Sequence, residues 1–486
     1  MVNNKLDVVL FDFDDTLVHT DELIEFRKNR DRDGLIQNIN KSWCYPVVPN
    51  LLKTIREKNI PIGIITNSPR WYIDILIQHH DLGDFSTIIT YDDVGSSGIK
   101  PSPIGIKKAL SNLGLSEKNN VIYIGDSDID FVAAYKLGIK PVAPSWATRH
   151  PINQVPAAIL NSDSLLKYLD SFNRISLIAD QTASLKTFNF DYDQLNFIPL
   201  NEEGCVTALN KEDVQLLALG RYFSQKSEVT ALQHESHQLS KDIFAKELSE
   251  TYVIPNYYVE LMVKVIDSLS RYKFSSSLEH NFDVVTVVPS KPNKNPRLEN
   301  FLKRVKALSA AKSLFIPDLF EFSSDAQSSK TAGGRDARYR NLEDNLYLKH
   351  KYINQLKGKS VLVIDDVLTT GATYKKIFEI LDDEEVSLSM GVVLAKTVSI
   401  SEVQKDCPKC GMLLRISSNK KSGIHFLGCT GFYEVHNCRY KENIKVKDCT
   451  LCGGSLVKIQ NRSNSSYFLG CENYHSLKCS NTEPCD

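Results

Sequence analysis

The sequence predicts an α/β chain: two parallel-sheet domains in series, then two small β modules held together by cysteine. Three observations carry that expectation. Apolar runs of strand length alternate with helical patterns twice, first across residues 1–172 and again across 175–400. Each succession sets an acidic cluster directly behind a strand. Only Cys44 and Cys205 of the 11 cysteines lie before residue 400; the rest crowd into a tail that repeats itself.

The length of 486 residues suits two to four domains at roughly 100–200 residues each. Apolar residues make up 42% and charged residues 24%, which excludes a chain disordered throughout. No stretch approaches the roughly 18 uncharged apolar residues of a membrane span. Met1–Leu6 runs straight into a strand-like segment without a basic-then-apolar export signal. The expectation is a cytoplasmic chain with no membrane partner. With 58 Lys and Arg against 59 Asp and Glu, the net charge of −1 gives no strong non-specific pull toward nucleic acid.

In the first domain, strands are expected at Val8–Phe11, Ile62–Ile65, Thr87–Thr90 and Val121–Ile124, separated by helices such as Asn50–Lys58 and Ile104–Leu113. A weak polar boundary falls at Asp170–Arg174. Asp12-Phe13-Asp14-Asp15-Thr16 follows the first strand, where an open parallel sheet binds its ligands. Two carboxylates spaced i, i+2 there suit covalent phosphoryl transfer: one attacks phosphorus, the other protonates the leaving oxygen and later activates water. A cation is needed to neutralise phosphate and carboxylate charge. A solvated turn or helix cap would also account for that cluster alone. Three further motifs argue otherwise: Thr66-Asn67 ends the second strand, Lys100-Pro101 begins a later helix, and Gly125-Asp126-Ser127-Asp128-Ile129-Asp130 follows the fourth.

With all four motifs in order, residues 1–170 resemble the haloacid dehalogenase superfamily. The resemblance implies Asp12 as nucleophile, Asp14 as acid and base, Thr66, Asn67 and Lys100 as phosphate binders, and Mg²⁺ held by Asp12, Asp14, Asp126 and Asp130. Aspartate at position 14 favours phosphatase chemistry over phosphomutase or dehalogenase. Only His19–Val48 is available for a substrate-selecting cap, and 66–100 leaves no room for a second. The site is therefore expected to be open, or roofed by the next domain.

In the second domain Asp213–Ser224 and Tyr257–Tyr272 read as helices, and Val284–Val288, Ser313–Ile316, Val361–Ile364 and Leu388–Leu394 as strands. Ser323–Asn345 is polar, with Gly333-Gly334, Arg335, Arg338 and Arg340, and is expected to be a loop. The most specific string is Val361-Leu362-Val363-Ile364-Asp365-Asp366-Val367-Leu368-Thr369-Thr370-Gly371-Ala372-Thr373. A buried strand delivers two acids, then a turn of small hydroxyl residues opens a helix. Backbone N–H groups at such a turn cradle phosphate, with the helix dipole behind them. Thr369, Thr370 and Thr373 add hydroxyl donors, Gly371 lets the backbone approach, and Asp365 and Asp366 sit where ribose hydroxyls or Mg²⁺ would lie. The string resembles the phosphoribosyl-pyrophosphate motif of type I phosphoribosyltransferases, most nearly the competence-type, ComF-like members. The resemblance implies pyrophosphate binding at Val287–Lys291, with Ser290 and Lys291 in the site, and a hood loop at Arg335–Asn341. The run Lys291–Arg297 departs from the Arg-Gly-Phe-Asn-Gln expected of ComF relatives, which makes transfer chemistry less secure than binding.

In the tail, Cys407, Cys410 and Cys429 recur 42 residues later as Cys449, Cys452 and Cys471, and Phe426-Leu427-Gly428-Cys429 recurs as Phe468-Leu469-Gly470-Cys471. With Cys438 and Cys479 each module offers four thiolates, the set for a closed tetrahedral Zn²⁺ site. Disulfides fit a cytoplasmic setting less well. Modules this small need such a staple, and zinc binding of roughly 10–16 kcal/mol would supply most of their folding energy. Cys485 is left over. The modules, 405–442 and 445–486, resemble the C-terminal zinc ribbons of type IA topoisomerases. That resemblance implies single-stranded DNA or RNA as partner, with Phe426, Phe432, Tyr433, Tyr467, Phe468 and Tyr474 stacking on bases and Lys409, Arg415, Lys420, Lys421, Arg439 and Lys458 on phosphates. Phe426 and Phe468 serve equally well as fillers of a tiny ribbon core. The tail carries twelve Lys and Arg against seven Asp and Glu, so two zinc–tetrathiolate centres would leave it nearly neutral. No topoisomerase catalytic element is present.

The expected architecture is thus two Rossmann-like α/β domains followed by two small zinc β-ribbons. The expected function is a Mg²⁺-dependent phosphatase joined to a phosphoribosyl-pyrophosphate-binding domain, processing a phosphorylated small molecule, nucleotide or ribosyl phosphate at single-stranded nucleic acid. The alternative is a nucleic-acid-binding regulator whose second α/β domain senses nucleotide without catalysis.

Overall fold

The computed structural model describes residues 4–147, 152–190, 196–202, 204–207, 214–225, 228–269, 281–323, 345–400, 405–418, 425–432, 437–461, 463 and 466–484. The expected hood loop Arg335–Asn341, the end of the helix expected to reach Tyr272, and Lys420, Lys421, Tyr433 and Cys485 lie outside these residues, as do the side chains of Arg415 and Tyr467.

Val8–Phe11 (β1) is buried along its whole length, as a strand covered on both faces requires. Its alternate residues feed two cores: Val9 and Phe11 join one, Val8 and Leu10 the other. Val18–His19 (β2) and Trp43–Cys44 (β3) pair antiparallel and bracket two short helices, Ile24–Lys28 (α1) and Arg32–Gln37 (α2). Val48–Glu57 (α3) buries Val48, Leu51, Leu52 and Ile55, one helical stripe. Then come Ile62–Ile65 (β4), Arg70–His79 (α4), Thr87–Ile89 (β5), Tyr91–Gly98 (α5), Ile104–Asn112 (α6), Val121–Ile124 (β6), Asp128–Tyr135 (α7), Lys140–Pro144 (β7), Ala158–Leu160 (β8) and Ser162–Lys167 (α8). The sheet is parallel throughout, ordered β5-β4-β1-β6-β7-β8. The chain ends of β1, β4 and β6 therefore lie side by side on one edge.

The second sheet is built from Ile198–Leu200 (β9), Leu216–Ala218 (β10), Arg221–Phe223 (β11), Val284–Val287 (β12), Leu314–Phe315 (β13), Ser360–Leu368 and Leu388–Val398. Between β13 and Ser360–Leu368 the antiparallel pair Phe320–Phe322 (β14) and Leu346–Leu348 (β15) flanks residues 324–344, so Ser360–Leu368 is β16 and Leu388–Val398 is β17. The order is β13-β12-β16-β17-β10-β9, with β11 also on β17. All neighbours are parallel except β9 against β10. Ile178–Leu185 (α9), Glu228–Ser236 (α10), Gln238–Leu248 (α11), Asn256–Ser268 (α12), Arg297–Leu308 (α13) and Ala372–Asp383 (α14) complete this part.

The helix expected over Asp213–Ser224 is not formed; the described part of that segment supplies β10 and β11 instead. An apolar run this short does not distinguish helix from buried strand by its period. Tertiary context decides: Leu216–Ala218 pairs with Gly391–Val393 of β17. At the break between the strands, a Cβ on Gly220 would stand 2.3 Å from Leu239 and 2.9 Å from Ala179.

Both sheets belong to one compact unit. Ile152 and Val206 exchange backbone hydrogen bonds of 3.0 and 2.8 Å. Asp128, at the start of α7, accepts from the amides of Asn153 and Gln154 at 2.9 and 2.8 Å, and Cys205 Sγ reaches Asn153 Oδ1 at 3.3 Å. At the other end of α7, the Arg221 guanidinium donates to Tyr135 Oη at 3.2 Å and to Asp180 Oδ2 at 2.8 Å. The Tyr135 ring meets Phe223 edge-on at 5.5 Å.

The second unit includes the tail, described by itself. Lys405–Asp406 (β18), Leu413–Ser418 (β19), His425–Cys429 (β20) and Lys441–Asn443 (β21) form one antiparallel sheet. Lys445–Asp448 (β22), Ser455–Gln460 (β23), Tyr467–Cys471 (β24) and Thr482–Pro484 (β25) form another. The 42-residue repeat is kept in register: Leu414 opposes Cys429, and Leu456 opposes Cys471.

Candidate active sites and metal centres

At the carboxyl edge of the first sheet, Asp12 follows β1, Thr66 follows β4 and Asp126 follows the Gly125 turn after β6. Lys100 Nζ stands 2.6 Å from Asp12 Oδ1 and 2.7 Å from Asp130 Oδ1. Asp130 is fully buried and held by Ser127, whose amide and hydroxyl donate to Oδ2 at 3.1 and 2.5 Å, and by Tyr123 Oη at 3.1 Å. Asp126 Oδ1 accepts from Thr16 Oγ1 at 3.2 Å.

Oxygens of Asp12, Asp126 and Asp130 lie within 4.8 Å of one another. Burial pushes the Asp12 carboxyl up to about 7 against the pull of Lys100. Burial, then the negative charges of Asp130 and Asp12, push Asp126 up to about 9. Three carboxylates so crowded with one lysine fit a bound divalent cation of the hard, oxygen-ligated kind. Burial opposes the charge on Lys100, but Asp12 and Asp130 more than offset it and raise its pKa.

Asp14, expected among the Mg²⁺ ligands, is not brought into that carboxylate group. Its Oδ1 accepts from Thr20 Oγ1 at 2.8 Å and Tyr72 Oη at 3.0 Å; its Oδ2 accepts from Ser68 Oγ, from Thr66 Oγ1 at 3.4 Å and from Arg27 Nη1 at 3.0 Å. Asn67 is likewise occupied: its Oδ1 accepts from the Lys100 amide at 2.8 Å and its Nδ2 donates to the Lys100 carbonyl at 3.2 Å. One donor and one acceptor of its amide thus bind the Lys100 backbone. Arg27, Ser68 and Tyr72 escaped sequence reasoning, because nothing in their local spacing marks them.

In the second sheet β16 carries Asp365 and Asp366. Thr369 and Thr370 turn into Gly371, whose φ of +76° is the left-handed conformation that glycine takes without strain. Ala372 then opens α14, and Thr373 lies in its first turn. Asp366 is buried and neutralised: Lys246 Nζ lies 3.0 Å from both its oxygens and Arg297 Nε 2.8 Å from Oδ2. Against the effect of burial, these two cations hold its carboxyl well below the usual carboxylate range. Asp365 is the acid with a partly open face; burial, then the neighbouring Asp366, push it up to about 7. Ser290 is engaged elsewhere, its amide and hydroxyl both donating to Glu299 Oε1 at 2.7 Å. Lys291 Nζ sits 5.4 Å from the Phe322 ring, and burial lowers its pKa. Lys246 was invisible in the sequence, since it comes from α11, 120 residues before its partner.

In the tail the four sulfurs of each quartet lie within 4.8 Å of one another. Cys407–Cys438 and Cys410–Cys429 approach to 3.7 and 3.3 Å, and Cys449–Cys479 and Cys452–Cys471 to 3.6 and 3.4 Å. Disulfide sulfurs would stand about 2.05 Å apart. A tetrahedron drawn at a Zn–S distance of about 2.3 Å has edges of about 3.8 Å, so both quartets fit that ion. Asn481 Nδ2 donates to Cys449 Sγ at 3.3 Å, and Asn473 Nδ2 to Cys452 Sγ at 3.6 Å, the outer support expected of metal ligands. Phe432 and Tyr474 are exposed, as are Lys409, Arg439 and Lys458, whereas Phe426 and Phe468 are half-buried.

Residues 32–143 match the family model for haloacid dehalogenase-like hydrolases, and residues 321–424 match the phosphoribosyl transferase domain. The chain carries a domain of each of these two families. Among similar proteins, pyrophosphatase PpaX of Oceanobacillus iheyensis is 28% identical over 107 residues, covering 22% of this chain and 49% of that protein. Phosphoglycolate phosphatase of Photorhabdus laumondii is 30% identical over 138 residues, covering 28% and 56%. The chain spans about half the length of these relatives. The crystal structure of a HAD-superfamily hydrolase from Ehrlichia chaffeensis matches 34% of this chain and 97% of its own at 22% identity and a TM-score of 0.26. No helix among the described residues is long and apolar enough to cross a membrane.

Proposed function

We propose that the chain is a cytoplasmic Mg²⁺-dependent phosphatase joined to a phosphoribosyl-pyrophosphate-binding domain, working on a nucleotide or ribosyl phosphate at single-stranded nucleic acid. On this reading residues 1–172 are the phosphatase domain, 175–400 the phosphoribosyltransferase-like domain, and 405–442 and 445–486 the zinc ribbons. The observation that carries the phosphatase is the Asp12–Lys100–Asp130–Asp126 cluster at the carboxyl edge of the first sheet.

Asp12 attacks phosphorus, the bond to the leaving oxygen breaks, and Asp14 gives that oxygen its proton. Asp14 then takes a proton from water, which attacks the aspartyl phosphate, releasing phosphate and restoring Asp12. Thr66 and Lys100 face the transferred phosphoryl group. Asp12, Asp126 and Asp130 would hold Mg²⁺, which when bound offsets the charge gathered on phosphate and carboxylate. The relatives' names make inorganic pyrophosphate and phosphoglycolate the first substrates to try. Phosphate release from these and from a panel of nucleotides and sugar phosphates, with and without Mg²⁺, tests the reading; no release from any of them would end it.

At the second site, Asp365 contacts ribose hydroxyls or a metal, and the turn Thr369–Thr373 with the start of α14 receives the 5′-phosphate. Asp365→Asn should weaken phosphoribosyl-pyrophosphate binding about 10- to 100-fold, the worth of hydrogen bonds to a charged group. Phosphatase turnover should persist, since its nucleophile lies in the other domain. Calorimetry showing unchanged affinity would move the site elsewhere. The ion pairs on Asp366 and the Ser290–Glu299 bonds favour a second reading of this domain as a non-catalytic sensor. Incubation with phosphoribosyl pyrophosphate and a panel of bases separates the two: pyrophosphate release marks transfer, and binding without release marks a sensor.

The ribbons hold one Zn²⁺ each, and elemental analysis of the purified chain should find two. Exposed Tyr474 and Phe432 offer stacking faces, and exposed Lys409, Arg439 and Lys458 offer cations for phosphates. Tyr474→Ala should weaken binding to single strands by about 1–3 kcal/mol, read by fluorescence anisotropy. Equal affinity after deletion of 405–486 would turn the ribbons over to protein contacts.

A further inference from the structure

We infer that the two ribbons hold a single strand unequally: the first grips a phosphate in a cleft between Lys409 and Arg439 beside its cysteine quartet, and the second has no counterpart of those two cations. The inference rests on the single-strand reading of the tail above and locates the phosphate contact within it. A cavity of about 500 Å³ is lined by Lys409, Cys410, Cys438 and Arg439. Lys409 lies between the first two cysteines of the quartet and Arg439 directly after the fourth, so the cations come from two separate segments of chain. Both are exposed. Neither side chain has a hydrogen bond or an ion pair among the described residues.

The repeat supplies an internal control. In both copies the first cysteine's amide donates across the same turn, Cys407 to the Met412 carbonyl and Cys449 to the Gly454 carbonyl, each at 2.6 Å. Gly411 and Gly453 close those turns with φ of +74° and +71°. At the other end Gly428 opposes Lys441, and Gly470 opposes Thr482. Lys409 therefore corresponds to Leu451, and Arg439 to Ser480. What the sulfurs take from the first of these positions is backbone: the amides of Lys409 and Cys410 donate to Cys407 Sγ, and those of Leu451 and Cys452 to Cys449 Sγ. A zinc–tetrathiolate centre carries two negative charges and would attract any cation near it. The second quartet has the same four thiols with a leucine and a serine at these places, so neither the fold nor the metal demands the pair.

Two unpaired cations in one cleft call for an anion. The Arg439 guanidinium offers a planar fork of donors and the Lys409 ammonium a compact charge, a combination that suits the oxygens of a phosphate. A carboxylate would satisfy the charges as well, but the surroundings favour nucleic acid. A Cβ on Gly431 would stand 3.3 Å from Cys410 Sγ and 3.4 Å from Cys429 Sγ, so the next residue, Phe432, stands beside the quartet, and it is exposed. Its ring gives a base something to stack on next to the phosphate.

Fluorescence anisotropy with a labelled oligothymidylate, run on the full chain across a salt series, reads the contact. Lys409→Gln with Arg439→Gln should weaken binding about 8-fold at about 50 mM salt and lower the slope of log affinity against log salt by about 0.7, the share of one phosphate on a single strand. The charge-conserving exchange Lys409→Arg with Arg439→Lys should keep most of the affinity. Leu451→Gln with Ser480→Ala, at the matching places of the second ribbon, should leave the slope as it was. An unchanged slope in the first double variant, or an equal fall in the second-ribbon pair, would overturn the inference. So would loss of a zinc ion from the first double variant, since the cations would then be supports of the thiolates. Failure of the unaltered chain to bind the strand at all would instead bring down the single-strand reading, and this inference with it.

Discussion

Asp12→Asn is expected to lower Mg²⁺-dependent phosphate release by about 10³-fold or more, because an amide cannot form the phosphoenzyme. The geometry separates this loss from any loss of structure. Asp12 Oδ1 receives both the Phe13 amide at 2.7 Å and Lys100 at 2.6 Å. Oδ2 has no partner among the described residues, and it is the oxygen left to attack. An asparagine oriented with its oxygen toward Phe13 and Lys100 keeps the first set of contacts and loses only the second oxygen. Lys100 retains its ion pair with Asp130. Circular dichroism and the melting temperature should therefore stay close to those of the unaltered chain. Near-normal turnover by the variant would exclude Asp12 as nucleophile.

The second large effect is on stability. Arg221→Met should cost about 3–5 kcal/mol, the loss typical of breaking a buried ion pair from one side. Arg221 and Asp180 are both almost fully buried. Asp180 takes the Arg221 amide at 2.9 Å and its Nε at 2.8 Å, with His237 Nε2 3.3 Å away. Despite burial, Arg221 and then His237 draw the Asp180 carboxyl down to about 2 from its ordinary 3.8. Its contribution is thus complete above pH 3.8 and is lost as the pH falls through about 2. Removing the guanidinium leaves a buried carboxylate with only a backbone amide and an imidazole for company. Urea titrations near neutral pH measure the loss. Combining Arg221→Met with Asp180→Leu should recover much of it, since a pair replaced by packed apolar groups is often neutral. A variant as stable as the parent would mean that the pair carries no net energy in this interface.

Chemistry borne by neighbours in sequence was legible. Asp12 and Asp14 stand behind one strand, Asp365 and Asp366 end another, and each cysteine quartet announces itself by a repeat kept in strand register. Each of these signals is local, and the fold has only to deliver a single segment. Contacts made across the chain were not legible. Arg27 reaches Asp14 from an insertion with no distinguishing pattern, and Lys246 on α11 reaches Asp366 over 120 residues of sequence. Asn67 shows a subtler limit: its place after β4 was readable, but which way its amide turned depended on the backbone of Lys100. The Asp213–Ser224 segment was misread for a related reason. Its apolar residues say only that it is buried, and β17, far along the chain, makes it a strand.

Helix α7 has eight residues, about 12 Å of rigid backbone. Asp128 and Asp130 lie at one end, and Tyr135, pressed on Phe223 and bonded to Arg221, at the other. Asp130, which with Asp12 and Asp126 would seat a metal in the first sheet, is therefore surveyed from a benchmark in the second. A fragment ending near residue 172 would keep every phosphatase motif and lose that benchmark, baring Tyr135 to water. Heat should then silence both sites of the intact chain over the same few degrees, and the excised first domain should lose its grip on Mg²⁺ at a temperature where the whole chain still holds it.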